Sequence, residues 1–174
     1  MPTDPFFRPV SGMQLPRFAG IPTFMRLPHV PEDHPRASEV QIGLIGLPFD
    51  GGTSNRPGPR HGPRALRDAS TMIRAQHPVT GMRPFEVAAC ADLGDVGPNP
   101  VDTADTLARY ESAFAAIRAR GIRPLSAGGD HLCTLPVLRG LARGAPMGLV
   151  HFDSHTDLYP PYFGGKTLTH GNPF

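Results

Sequence analysis

Cysteine is scarce: Cys90 and Cys133 are the whole supply. They lie too far apart for a CxxC metal or redox motif, and two thiols make no disulfide framework. They are expected to be small buried residues in a reducing compartment. Lysine is scarcer still, with Lys166 alone, while the arginines are scattered. No block of like charge and no basic stripe appears, so nothing favours nucleic-acid or membrane-surface binding, and no such partner is expected. No apolar run is long enough to span a bilayer. The N-terminus, MPTDPFFRPVSGMQLPRF, has no apolar stretch of the kind a secretion signal needs and is broken by proline. A cytoplasmic location is expected. Internal repeats and low-complexity segments are also missing.

What is present suits a folded domain. The 174 residues are 39% hydrophobic and 18% charged, with a net charge of +2, a balance found in globular chains. Residues 1–37 are rich in proline and lack periodicity, which predicts an irregular arm and a possible subunit contact. The domain proper is expected over 38–174. EVQIGLIGLPFD (39–50) reads as a strand buried on both faces. A Gly/Pro loop follows, then a helix opening at Pro63, where a missing N–H costs nothing. Ala65, Leu66, Ala69 and Ile73 give it an apolar stripe. FEVAACADLGD (85–95) is a second strand. The clearest helix is 101–121, where Leu107, Tyr110, Phe114 and Ile117 recur at helical spacing and Gly121 marks the stop. IRPLSAGGDH (122–131) is a strand, 133–144 a helix, and MGLVHFDSH (147–155) a fourth strand.

Strands alternating with helices predict a mainly parallel sheet in a three-layer α/β/α fold. Ligands in such sheets bind beyond the carboxyl ends of the strands. That rule puts Asp50, Asp92, Asp95, Asp130, His131 and the 153–157 segment at one rim. Within it, GGDHL (128–132) and HFDSHTD (151–157) concentrate metal donors. Alternate side chains of an extended segment share a face, so Asp153, His155 and Asp157 can converge. His131 would join them from the neighbouring strand end. Carboxylates with imidazole suit Mn²⁺, or Zn²⁺, Co²⁺ or Ni²⁺, and the lack of thiolate argues against a structural zinc site. His151 is expected to point to the opposite face, packed or supporting. Asp130 is expected to orient loop backbone, His61 to be at the surface, and Tyr159, Tyr162 and Phe163 to lie in a loop near the pocket mouth or to be packed. Arg56, Arg60 and Arg64 are not assigned to substrate.

GGDHLCTLPVLR, VHFDSHTD and THGNPF, with RFAGIPTFMRLP (17–28), GLPFDGGTSNRPGPRHGPRALR (46–67) and ADLGDV (91–96), resemble the ureohydrolases of the arginase and agmatinase superfamily, the agmatinase branch above all. The resemblance covers nearly the whole chain. It implies the arginase-like three-layer fold, truncated here after about the fourth strand, and a two-manganese site that makes hydroxide from water to release urea from a linear guanidino compound. It implies that His131 and Asp157 bind one ion, His155 the other, that Asp153 bridges both, and that His170 is the catalytic proton carrier. It further implies trimers or hexamers for the complete protein and a place in guanidino and polyamine metabolism.

Family members continue for roughly as many residues again and carry an Asp-x-Asp pair in a later strand. With that half absent, the expectation is at most one tightly bound ion and little hydrolase activity for this polypeptide alone. A non-catalytic metal-binding or oligomer-forming remnant is the alternative. A deacetylase on the same layered fold is disfavoured by GGDH, DSHTD and THG occurring together.

Overall fold

The computed structural model describes residues 4–142, 144, 146–161, 164–165 and 168–174. Tyr162 and Phe163 lie outside the described residues. Three strands and three α-helices alternate: β1 (Ile42–Leu47), α1 (Gly62–Ser70), β2 (Cys90–Asp95), α2 (Thr103–Ala119), β3 (Arg123–Gly128) and α3 (Thr134–Ala142). The strands form one sheet in the order β2-β1-β3. β1 pairs with β2 in parallel, Ile42 opposite Cys90 and Leu44 opposite Asp92, with an irregularity between Leu44 and Gly46. Five of the six β1 residues are buried, as a central strand covered on both faces requires.

The chain divides into two compact units. The first comprises residues 1–46, 64–95 and 120–127. Its core gathers Phe24, Leu27, Leu44, Phe85 and Cys90, with Ile42, Ile73 and Ala127 packed against them. The arm contributes to this core through the short 3-10 turn at Phe24–Arg26. It also covers the outer edge of β2: Asp92 N–H donates to Pro28 O at 3.0 Å and Val30 N–H donates to Asp92 O at 2.8 Å. An unpaired strand edge invites foreign pairing, and this short bridge blocks it.

The second unit comprises residues 47–63, 96–119 and 128–174. α2 begins where the Asp102 carboxylate accepts from Asp105 N–H at 3.0 Å, an N-cap that satisfies an otherwise orphaned donor. Its buried face is Thr106, Tyr110, Phe114 and Ile117, close to the stripe predicted from spacing, and it packs on α3. The chain leaves the helix at Gly121 with φ of +73°, the left-handed turn that the sequence position predicts.

Two sequence expectations fail. The predicted strand at 147–155 forms no ladder among the described residues, and Val150 and Phe152 are 80% and 94% exposed. An apolar run becomes a buried strand only when neighbours pair with it and helices cover it, and it has neither here. The stripe predicted for α1 reaches the core only through Ile73, beyond the helix end, since Ala65, Leu66 and Ala69 are exposed while Pro63 and Arg67 turn inward. Cys90 and Cys133 are buried free thiols; burial pushes Cys133 up to about 12, so neither is a ready nucleophile.

Candidate metal centre and adjoining cleft

The site is built on the second unit, and its base is the GGDH turn. Gly129 N–H donates to Leu47 O at 2.9 Å and Asp130 N–H to Phe49 O at 2.8 Å. The Asp130 side chain then works in both directions. One oxygen accepts from Leu132 N–H at 2.9 Å, capping the 3-10 turn His131–Cys133. The other accepts from Gly52 N–H at 2.7 Å. Asp130 therefore orients loop backbone, as its place in the motif suggests. Burial pushes its carboxyl up, although the two N–H donors pull the other way.

Four side chains converge next to this turn: His131, His151, Asp153 and Asp157, each offering one donor atom within 4.8 Å of the others. His131 Nδ1 lies 2.5 Å from an Asp157 oxygen and 3.7 Å from one of Asp153. His151 Nε2 lies 3.5 Å from the same Asp153 oxygen and 4.0 Å from that of Asp157. Phe174 stands edge-on to both imidazoles, at 5.6 and 5.2 Å between centroids. Asp157 takes a left-handed φ of +54°, which turns its carboxylate into the group; such strain in a non-glycine residue persists where surroundings over-determine it.

His155 is not part of this group. The chain bends at Ser154–His155, and His155 N–H donates to the Asp153 carboxylate at 3.1 Å. That bond holds the Asp153 carboxyl below its usual range. The His155 ring is left 64% exposed, 3.7 Å from the same Asp153 oxygen, which is not the one that faces His131 and His151. Alternation along a straight strand does not apply to a bent segment. His151, expected to face away, instead enters the cluster. The signal was there: residues 151, 153, 155 and 157 share parity, so a period of two places His151 on the ligand face.

A cleft of about 350 Å³ opens beside the cluster, lined by Thr53, Arg56, Pro59, Asp130, His131 and His170. His170 Nδ1 donates to Gly52 O at 2.8 Å, and its own backbone N–H donates to the same oxygen at 3.1 Å. The ring bond fixes the Nδ1–H tautomer and leaves Nε2 as the basic atom. Asp50 shapes the loop that carries the cleft wall. Its buried carboxylate accepts from Gly58 N–H at 2.8 Å and pairs with the Arg60 guanidinium. His61 is exposed on the following turn.

Asp50, Asp92 and Asp95 are therefore not free site carboxylates. Asp92 and Asp95 are engaged by Arg67 in the first unit. The Arg60 hydrogen bond, aided by backbone donors, holds Asp50 down to about 2. A carboxyl depressed on folding adds stability above its ordinary value of 3.8 and loses it as pH falls through the folded value. Arg60→Ala is thus expected to be less stable than the parent at neutral pH, by an amount that solvent screening of the half-exposed arginine keeps small. The gap between parent and variant should close as pH falls from about 4 toward 2. Urea-denaturation midpoints at neutral pH and at the acid end check this; a gap that stays constant contradicts it.

The family follows from comparison. The arginase family model matches residues 40–174, and the chain belongs to that family. It is 50% identical over 167 residues to a guanidinopropionase of Pseudomonas aeruginosa, covering 96% of this chain and 51% of the relative. It is 39% identical over 167 residues to a mitochondrial agmatinase of Gallus gallus, covering 95% of this chain and 48% of the relative. The proclavaminate amidinohydrolase structure from Streptomyces clavuligerus superposes with a TM-score of 0.81 at 38% identity, over 91% of this chain and 51% of that one. The arginase-like fold and the family inferred from the motifs are thereby shown. The chain spans about half the length of the curated relatives it matches. Among the described residues, no helix is long and apolar enough to cross a membrane.

Proposed function

We propose that this chain is the metal-binding half of an amidinohydrolase that releases urea from a small guanidino compound, with manganese as the resident ion. The convergence of His131, Asp153 and Asp157 at the head of a cleft that also holds His170 carries this reading. Imidazole and carboxylate donors without thiolate suit Mn²⁺. The orphaned, buried Nε2 of His151 supports an ion in this place, because an unpaired buried polar atom is costly. A bound divalent ion supplies hydroxide near neutral pH by lowering the pKa of water. The chain's own residues hold and orient. Asp130 fixes the turn that presents His131, Asp50 and Arg60 fix the cleft loop, and His170 Nε2 would take up the proton released by the attacking water and deliver it to the leaving nitrogen, which departs as the amine.

A guanidino acid is the preferred substrate class over agmatine, supported by the 50% identity to the guanidinopropionase against 39% to the agmatinase. The complete assembly is proposed to be a cytoplasmic trimer or hexamer. A remnant that binds metal or associates without catalysis is favoured by one observation: Leu149, Val150 and Phe152 are exposed where the family pattern needs them covered.

The deciding assay measures urea from 3-guanidinopropanoate, 4-guanidinobutanoate and agmatine with added Mn²⁺. It is run on this chain alone and on this chain co-expressed with the C-terminal half of the Pseudomonas guanidinopropionase. The expected result is little urea alone and clear release from a guanidino acid when the second half is supplied. Silence with all three substrates in both settings would favour the remnant. Two tight manganese sites on the chain alone would contradict the half-shell reading.

A further inference from the structure

The first unit contains a cavity that the chemistry above does not use. It measures about 1070 Å³ and is lined from the arm, between Val10 and Leu27, and from the end of α1 and the turn after it, between Asp68 and Arg74. Arg26 is on its wall and only 8% exposed. The Nη1 of that guanidinium is buried and has no hydrogen-bond partner, a costly state for a charged donor. We propose that this cavity binds a small organic carboxylate with an apolar body, of the medium-chain fatty acid type, whose carboxylate pairs with Arg26.

The surroundings hold Arg26 in place for such a ligand. Its Nη2 donates to Leu15 O at 2.7 Å, and its backbone oxygen accepts from Val10 N–H at 3.1 Å. Met25 and Arg26 both take left-handed φ, 58° and 59°, a conformation that non-glycine residues keep where the surroundings over-determine it. Arg17 ties the arm to the chain beyond α1, its Nη1 donating to Thr71 O at 2.9 Å and Ile73 O at 2.8 Å. Three guanidinium groups, those of Arg17, Arg26 and Arg74, line the cavity against the single carboxylate of Asp68, so its field favours an anion. The body of the ligand is set by Leu15, Phe18, Ile21 and Met72. Phe18 and Ile21 are 94% and 90% exposed, and a compact anion such as phosphate would leave them uncovered. A concave, largely apolar lining with a few placed polar groups is the usual form of a small-molecule site. Water does not reach Nη1, so the carboxylate enters by easing the Leu15 turn outward, against the bond by which Arg26 holds it.

The test uses the 174-residue chain with isotope-labelled methionine methyls and octanoate as the probe, below its micelle concentration. Met13 and Met72 line the cavity, while Met147 lies in the exposed apolar run at 147–152 and reports on general adsorption. Saturable shifts at Met13 and Met72 with Met147 unmoved are expected. Octanol, which lacks the anion, and 3-guanidinopropanoate, which lacks the apolar body, should each bind at least about tenfold more weakly. R26Q should abolish the shifts. M72E changes an exposed residue and should weaken octanoate by about fivefold or more with an unchanged circular-dichroism melt. That variant keeps the test decisive even if R26Q folds poorly. Met147 moving together with Met13 and Met72, octanol or the guanidino acid matching octanoate, or M72E binding like the parent would each overturn the site. A chain that sediments as a dimer and whose Met13 and Met72 methyls shift on dilution would assign the cavity to a second copy and overturn the carboxylate as its occupant.

Discussion

Gly129→Ala is expected to lower the melting temperature of the chain by about 10 °C or more and to abolish metal uptake. A Cβ at residue 129 would stand 1.7 Å from the Phe49 carbonyl oxygen and 2.6 Å from its carbon. Neither obstacle is a side chain that can swing aside. The backbones are drawn together by the Gly129 N–H to Leu47 O bond at 2.9 Å and the Asp130 N–H to Phe49 O bond at 2.8 Å. Relief requires separating them, which forfeits both bonds at about 1 kcal/mol each. Overpacking strain adds about 1–3 kcal/mol. A total near 3–5 kcal/mol is a large share of the stability of a domain this size, at about 2–4 °C per kcal/mol. The movement also displaces His131, two residues along. Circular dichroism melts and zinc titration measure both effects, and a variant that melts with the parent and binds zinc normally would show that the close approach is not essential.

How much of this was legible beforehand differs from element to element, for physical reasons. α2 could be read because Tyr110, Phe114 and Ile117 recur at helical spacing and the helix finds a partner in α3. β1 could be read because an apolar run closed by glycine and proline has few other uses. The run at 147–152 carries the same local signal, yet Val150 and Phe152 stand in solvent. Local pattern reports what a segment is suited to, while strand formation depends on neighbours distant in sequence. α1 shows the converse. Its apolar residues are exposed, and it is tied down by Arg67 through pairings that spacing does not reveal. In the site, His131, Asp153 and Asp157 gather as the motif spacing suggested. That His151 lies in this group and His155 outside it turns on one bend, where the Asp153 carboxylate accepts from His155 N–H. Asp92 was read as a rim carboxylate because position at a strand end says nothing about an arginine 25 residues earlier.

That arginine carries the other large expected effect: Arg67→Ala should cost about 3–5 kcal/mol in the first unit. Arg67 reaches Asp92 through two parallel bonds, Nε to one oxygen at 2.8 Å and an Nη to the other at 2.9 Å. Its remaining Nη donates to Asp95 at 2.6 Å, and its guanidinium stacks 4.1 Å from the Phe24 ring. The Asp92 side chain is 1% exposed and also accepts from Phe24 N–H and Gly94 N–H, at 2.9 and 2.8 Å. It thus ties the arm, β2 and α1 together. Removing the guanidinium leaves a carboxylate buried with only two amide donors, and the penalty is that of an uncompensated charge more than of a lost contact. Arg67→Lys should recover only part of the loss, because an ammonium cannot fork or stack. Burial pushes the Asp92 carboxyl up, but the Arg67 fork and the two N–H donors outweigh it and hold it below its usual range. The stability it adds is present above the ordinary value of 3.8 and is lost as pH falls through the lower folded value. In Arg67→Ala burial acts without the fork, so the variant gains relative to the parent as the solution is acidified. Urea denaturation at neutral pH and near pH 4 should show a large gap that narrows on acidification. A gap that widens there, or Asp92→Asn and Arg67→Ala effects that simply add in the double variant, would mean that the two side chains are not one unit.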